Sequence, residues 1–141
     1  MSLTLAKANK IIRVAFKKAE EMGLKPMCFT VLDAGGHMKA MQRDDNTSIM
    51  RPQIAHGKAY GALAMGVGSA TLEKMFLDRP HFGAGLNMVS GGVVPVGGGV
   101  LVRNKRGDVV GAVGATGDTS DNDTICAVAG IEAAGLVAEA G

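Results

Sequence analysis

Three aspartates, Asp118, Asp121 and Asp123, fall within six residues in the stretch GATGDTSDND, directly after an apolar run broken by glycines. Residues of this type at this spacing can do two kinds of work. One is structural: a carboxylate at a helix N-cap or in the first turn meets free N–H groups and the positive end of the helix dipole. The other is ligand binding. Three carboxylates can gather oxygen ligands for a hard cation, orient a cationic group, or move a proton if one of them is buried enough to raise its pKa. The later Gly and bidentate Glu of an EF-hand loop are missing. Glycines ahead of a helix suit a phosphate, but three acids repel one.

Two further sets of charged residues carry chemistry. Arg43 precedes Asp44 and Asp45 where a strand gives way to a polar loop, and an arginine there can grip a carboxylate with its guanidinium fork or simply form a surface ion pair. Lys58 lies among Ala55, Ala59 and Ala62, a setting small enough to desolvate an ammonium group that binds an anion or gives up a proton. His37 belongs to a turn, His56 precedes Lys58 by two positions, and His81 stands in a glycine-rich segment. No zinc pattern, nucleophile elbow, phosphate loop or dinucleotide fingerprint occurs. Ser90, in VSGGV, reads as a turn hydroxyl.

The elements that must position these residues follow from periodicity. Residues 4–22 form an amphipathic helix with Thr4 as its cap and Gly23 as its stop; Leu5, Ala8, Ile12, Ala15 and Ala19 make its apolar face, and the lysines and Arg13 its solvated one. MCFTVLD and HMKAMQR are two strands joined by the DAGGH turn. Arg51-Pro52 opens a second helix running to the mid-sixties. Ser69 is placed to cap a short helix ending before Pro80, and residues 80–92 read as irregular. Two or three strands lie between residues 93 and 116, with Gly111 and Gly114 marking close backbone approach. A last helix spans about 121–139, with Ala127, Gly130 and Ala134 as a smooth stripe. Strands joined by short turns imply one antiparallel sheet with helices on its faces, an α+β layer fold.

Composition bounds the function. The 141 residues fit one domain, residues 1–141. Aliphatics and nine Met must build the core, because only five residues are aromatic. Fifteen basic and thirteen acidic residues leave a net charge of +2, too even for a nucleic-acid surface. No apolar run is long enough for a membrane span. Cys28 and Cys126 have no ligand spacing and read as buried thiols of a reducing, cytoplasmic compartment. Scarce aromatics in a small domain also point to a homo-oligomer.

The stretches VLDAGGHMKAMQRDD, IAHGKAYGA and GDVVGAVGATG followed by DTSDND resemble, in the same order, the motifs of the GlcG/HbpS family, which also occurs as the C-terminal domain of PduO-type proteins. Arg43, Asp45, Lys58 and Asp123 match positions of that pattern. The resemblance implies a profilin-like five-stranded antiparallel sheet flanked by helices, assembled as a tetramer or octamer. It implies a small-molecule ligand, with haem or a related tetrapyrrole as the family's suggestion, and an association with corrinoid-related proteins; by side-chain chemistry His56, Tyr60, His81 and several Met are available as axial donors. The charged residues support a second reading, a small isomerase, hydratase or decarboxylase acting on an oxo- or hydroxy-carboxylate. In either case the candidate site gathers Arg43, Asp45, Lys58, Asp118, Asp121 and Asp123 at one rim, completed by His81, Gly91 and Gly92.

Overall fold

A computed structural model describes residues 2–141. The chain runs α1 (Leu5–Glu21), β1 (Cys28–Asp33), β2 (Met38–Arg43), α2 (Arg51–Met65), α3 (Ser69–Asp78), α4 (Pro80–Ser90), β3 (Gly99–Arg103), β4 (Val109–Thr116), α5 (Ser120–Ala133) and β5 (Val137–Glu139). The five strands form one antiparallel sheet in the order β2-β1-β4-β3-β5. This is the α+β layer architecture that the turn spacing implies. Among the described residues no helix is long and apolar enough to cross a membrane.

α1 and α5 cover one face of the sheet. Ala8, Ile11, Ile12 and Ala15 of α1 pack with Phe29, Val31, Val100, Val113, Ala127 and Ile131, and Phe16 meets Phe29 edge-on at 4.8 Å. Leu5, placed on the apolar face by its spacing, is instead 54% exposed in the first turn of the helix. α2 covers the other face, with Ala59 and Ala62 against Leu32, Leu101 and Ala112.

Small residues let these layers close up. A Cβ on Gly114 would run into the Ala55 carbonyl, and one on Gly130 into the Ile11 carbonyl. The Ala127–Gly130 stripe is therefore spent on α1 within the chain and is not a free surface for another subunit.

Three other expectations change. Residues 80–90 are helical: Pro80 starts α4, and Gly83 sits where a Cβ would meet the Phe76 ring, so packing outweighs glycine's poor helix propensity. The last helix stops at Ala133; Gly135 takes a left-handed φ of 77°, and Val137–Glu139 then pairs with β3, where Arg103 bridges Glu139 at 2.9 Å. Ser69 is not the cap of α3, which is Gly68. Its buried hydroxyl donates to the Val96 carbonyl and accepts from the Gly99 N–H, both at 2.6 Å, holding the glycine loop against the helix.

Candidate functional site

Lys58 and Asp123 meet. Lys58 extends from α2 on one face and Asp123 from the first turn of α5 on the other. Nζ lies 3.1 Å from Asp123 Oδ2 and donates to the Ala115 carbonyl at 3.0 Å, at the end of β4. Asp123 Oδ1 accepts from the Asp118 N–H at 2.9 Å. The side chains are 3% and 1% exposed. Gly98, at φ 118°, makes room for the pair: a Cβ there would stand 2.9 Å from Nζ.

Burial dominates the protonation of both groups. It raises the Asp123 carboxyl against the attraction of Lys58, and lowers the Lys58 ammonium against the attraction of Asp123. Pairing alone would hold the carboxylate firmly ionised; here the loss of solvent outweighs the attraction.

Neither of the other two aspartates is the helix cap. Asp118 is fixed by the Lys25 N–H at 3.2 Å, the Thr119 N–H at 2.9 Å and Asn122 Nδ2 at 2.8 Å, contacts that pull its carboxyl below its ordinary value, with the Asn122 bond the strongest cause. The cap itself is Thr119, whose hydroxyl accepts from the Asn122 N–H at 3.2 Å. Asp121 is exposed in the first turn.

Arg43 does not join the Lys58–Asp123 contact. It ends β2 at the sheet edge, exposed, with Cys28 opposite it and Thr116 opposite Cys28 on the far side. Among the described residues it forms no ion pair. Thr116 instead accepts from Arg51 Nη1 at 2.8 Å. Asp44 holds the turn by accepting from the Met27 N–H at 2.8 Å, and Asp45 is exposed beside it. Both thiols are buried; burial pushes those of Cys28 and Cys126 up to about 11.

An open cleft lies elsewhere. It measures about 380 Å³ and is walled by Met38 of β2, Pro52, Gln53 and His56 of α2, and Gly91 and Gly92 after α4. The His56 ring stacks on Tyr60 one turn later, with centroids 6.0 Å apart and planes 12° from parallel. Gly91 turns the chain at φ 80°, and a Cβ on either glycine would meet open space. The Ser90 hydroxyl, next along the chain, is buried without a partner. Of the sequence candidates, Gly91 and Gly92 line this cleft. His81 is exposed in the first turn of α4 and does not. Met38, Pro52 and Gln53 were not legible as wall residues, because nothing in their spacing shows that β2 and the start of α2 face each other. His56 and Tyr60, four apart on one helix, were the available signal.

An antiparallel five-stranded sheet between helical layers, with an apolar His-bearing cleft beside it, defines a small ligand-binding α+β domain. The chain belongs to the family described as haem degrading protein HbpS-like, whose model matches residues 3–132. It is 33% identical over 129 residues to an uncharacterized 15.0 kDa protein in the dhaT-dhaS intergenic region of Citrobacter freundii, covering 89% of this chain and 87% of that one. A double mutant of HbpS from Streptomyces reticuli superposes with a TM-score of 0.82 at 28% identity, over 94% of this chain and 87% of that one. A PduOC:heme complex superposes with a TM-score of 0.85 over 96% and 97% of the two chains; at 23% identity that likeness is one of fold.

Proposed function

We propose that this protein binds haem or a related tetrapyrrole in the cleft between β2, α2 and the end of α4. The carrying observation is His56, stacked on Tyr60 and opening with Met38 onto a mainly apolar cleft, in a chain of the HbpS-like family. The fit is chemical. Histidine and methionine are both axial donors to haem iron, and the cleft volume lies in the range of roughly 300–1,000 Å³ usual for small-molecule sites. His56 would hold the iron, Tyr60 keeps the imidazole oriented, and Gly91 and Gly92 leave the opposite wall without side chains. Haem supplies redox-active iron when bound. The protein's share is to ligate it, orient it and limit its contact with water.

The carboxylate-enzyme reading draws less support. Lys58 and Asp123 spend their charges on each other, and Arg43 stands apart. A buried pair of this kind ties α2 to α5 and offers a substrate no free group. Free buried thiols favour a reducing, cytoplasmic setting.

A homo-oligomer, tetramer or octamer, belongs to the same reading. Its support is the apolar side chains left uncovered on α3, α4 and the loop before α2: Leu77 is 72% exposed, Met88 88% and Ile49 87%. Light scattering is expected to give a multiple of 14.4 kDa at micromolar concentration; the mass of one chain would count against it.

Titration of the apo-protein with hemin tests the central proposal. The expected result is a Soret shift that saturates near one equivalent per chain. Uptake that rises without saturating would refute it.

A further inference from the structure

Among the described residues, four of the five most exposed large apolar side chains stand beside the walls of the His56 cleft. Ile49 and Met50, 87% and 61% exposed, come three and two residues before the wall residue Pro52. Met88 and Val89, 88% and 84% exposed, come three and two residues before the wall residue Gly91. At 3.8 Å per residue their Cα atoms lie within about 11 Å of those walls. Met38, which lines the cleft from β2, is itself 53% exposed.

α4 is short of buried surface as well. Gly83 is its only buried residue, and within the chain it packs on α3, through Phe76 on Gly83 and the edge-on contact of Phe76 with Phe82 at 6.4 Å. A helix of 11 residues is marginal by itself in water, and burial of an apolar face is what normally holds one. The end of α4 that carries Met88 and Val89 leaves both in solvent. Charge is missing too. Between Arg79 and Arg103 the sequence has none, counting His81 as neutral, and no residue lining the cleft is charged.

Apolar side chains crowded at one place on a surface mark a contact. Contacts between unlike proteins are commonly steered by opposite charges, which this face does not carry. A charge-free apolar face matches itself, and permanent contacts between like chains are the more apolar class. We propose that the His56 cleft is closed by a second copy of this chain. The same patch meets itself across a twofold axis, so that each copy covers the open side of the other's cleft and a ligand there is held between two protomers. That the ligand is haem rests on the reading above; that the cleft lies at a contact between copies does not.

The test places a charge on either rim of the cleft, Met88→Glu or Ile49→Glu, with Met88→Leu as the apolar control. Both positions are exposed in the single chain, so far-UV circular dichroism should match the parent. Light scattering should give the mass of one chain for the two charged variants and a multiple of it for the parent and Met88→Leu. Diethylpyrocarbonate, mapped by mass spectrometry, should modify His56 faster in the dissociated variants, while His37, exposed at the β1–β2 turn, reacts at the parent's rate. Hemin affinity should fall by about tenfold or more on dissociation, as the face supplied by the second copy is lost. A parent of one-chain mass would overturn the proposal and leave the face to another partner or to none. So would charged variants that keep the parent's assembly, or dissociated chains whose His56 is modified at the parent's rate. A parent that takes up no hemin would refute the haem reading alone, because mass and His56 modification still decide whether two copies meet at the cleft.

Discussion

Lys58 Nζ and Asp123 Oδ2 stand 3.1 Å apart with both side chains shut off from solvent, tying the helix on one face of the sheet to the helix on the other. A buried pair is costly to break from one side, because the survivor is left as a lone charge. Lys58→Met or Asp123→Leu alone is expected to cost about 3–5 kcal/mol in urea unfolding. The double variant should cost far less than the sum. Additive losses would show that the two groups do not act as a pair. The Lys58→Met loss should also depend on pH. Burial already raises the Asp123 carboxyl, and without the cation it rises further, so the folded state holds the extra proton. Stability of that variant should therefore fall as pH climbs above the ordinary carboxylate range.

Asp118 has the opposite sign. Its bonds from Asn122, Thr119 and Lys25 depress its folded pKa, so its stabilisation is present above the unfolded value and is lost as pH falls through the folded one. Asp118→Asn should show a shallower loss of stability on acidification below the ordinary Asp value. Parallel acid curves for the two proteins would mean that Asp118 does not stabilise that junction through its charge.

Thr119, not an aspartate, closes the N-terminus of α5. Thr119→Ala should cost ~1 kcal/mol in thermal or urea melts. Asp121→Asn, at an exposed first-turn position, should stay within ~0.5 kcal/mol of the parent. Equal effects at the two positions would contradict this division.

Sequence spacing was informative where one physical rule dominated. Thr4 and Gly23 bracket α1 as caps and stops do. The DAGGH turn forces the first hairpin: Asp33 gathers the N–H groups of Gly35 and His37, and Gly36 takes φ 83°. Gly111 and Gly114 do mark close approach, to Leu32 and Ala55. Spacing failed where tertiary contact decided. α4 forms despite Gly83 and Gly85 because Phe76 packs on Gly83, and β5 is three residues long, too short to show alternation. The aspartate run could not be apportioned from spacing alone. Thr119, Asp118 and Asp123 have different tasks only because Lys58 arrives from an element 65 residues away in sequence. The cleft at His56 was least legible, since one wall comes from β2 and another from the turn after α4.

Haem binding at His56 is tested most directly by hemin titration of three single variants, His37→Ala, His56→Ala and His81→Ala, followed by the Soret band. The expected result is that His56→Ala alone loses the saturable shift, while the other two match the parent in stoichiometry and position. A His56→Ala protein that binds hemin with the parent's spectrum would contradict the assignment, as would loss of the shift in His37→Ala or His81→Ala instead.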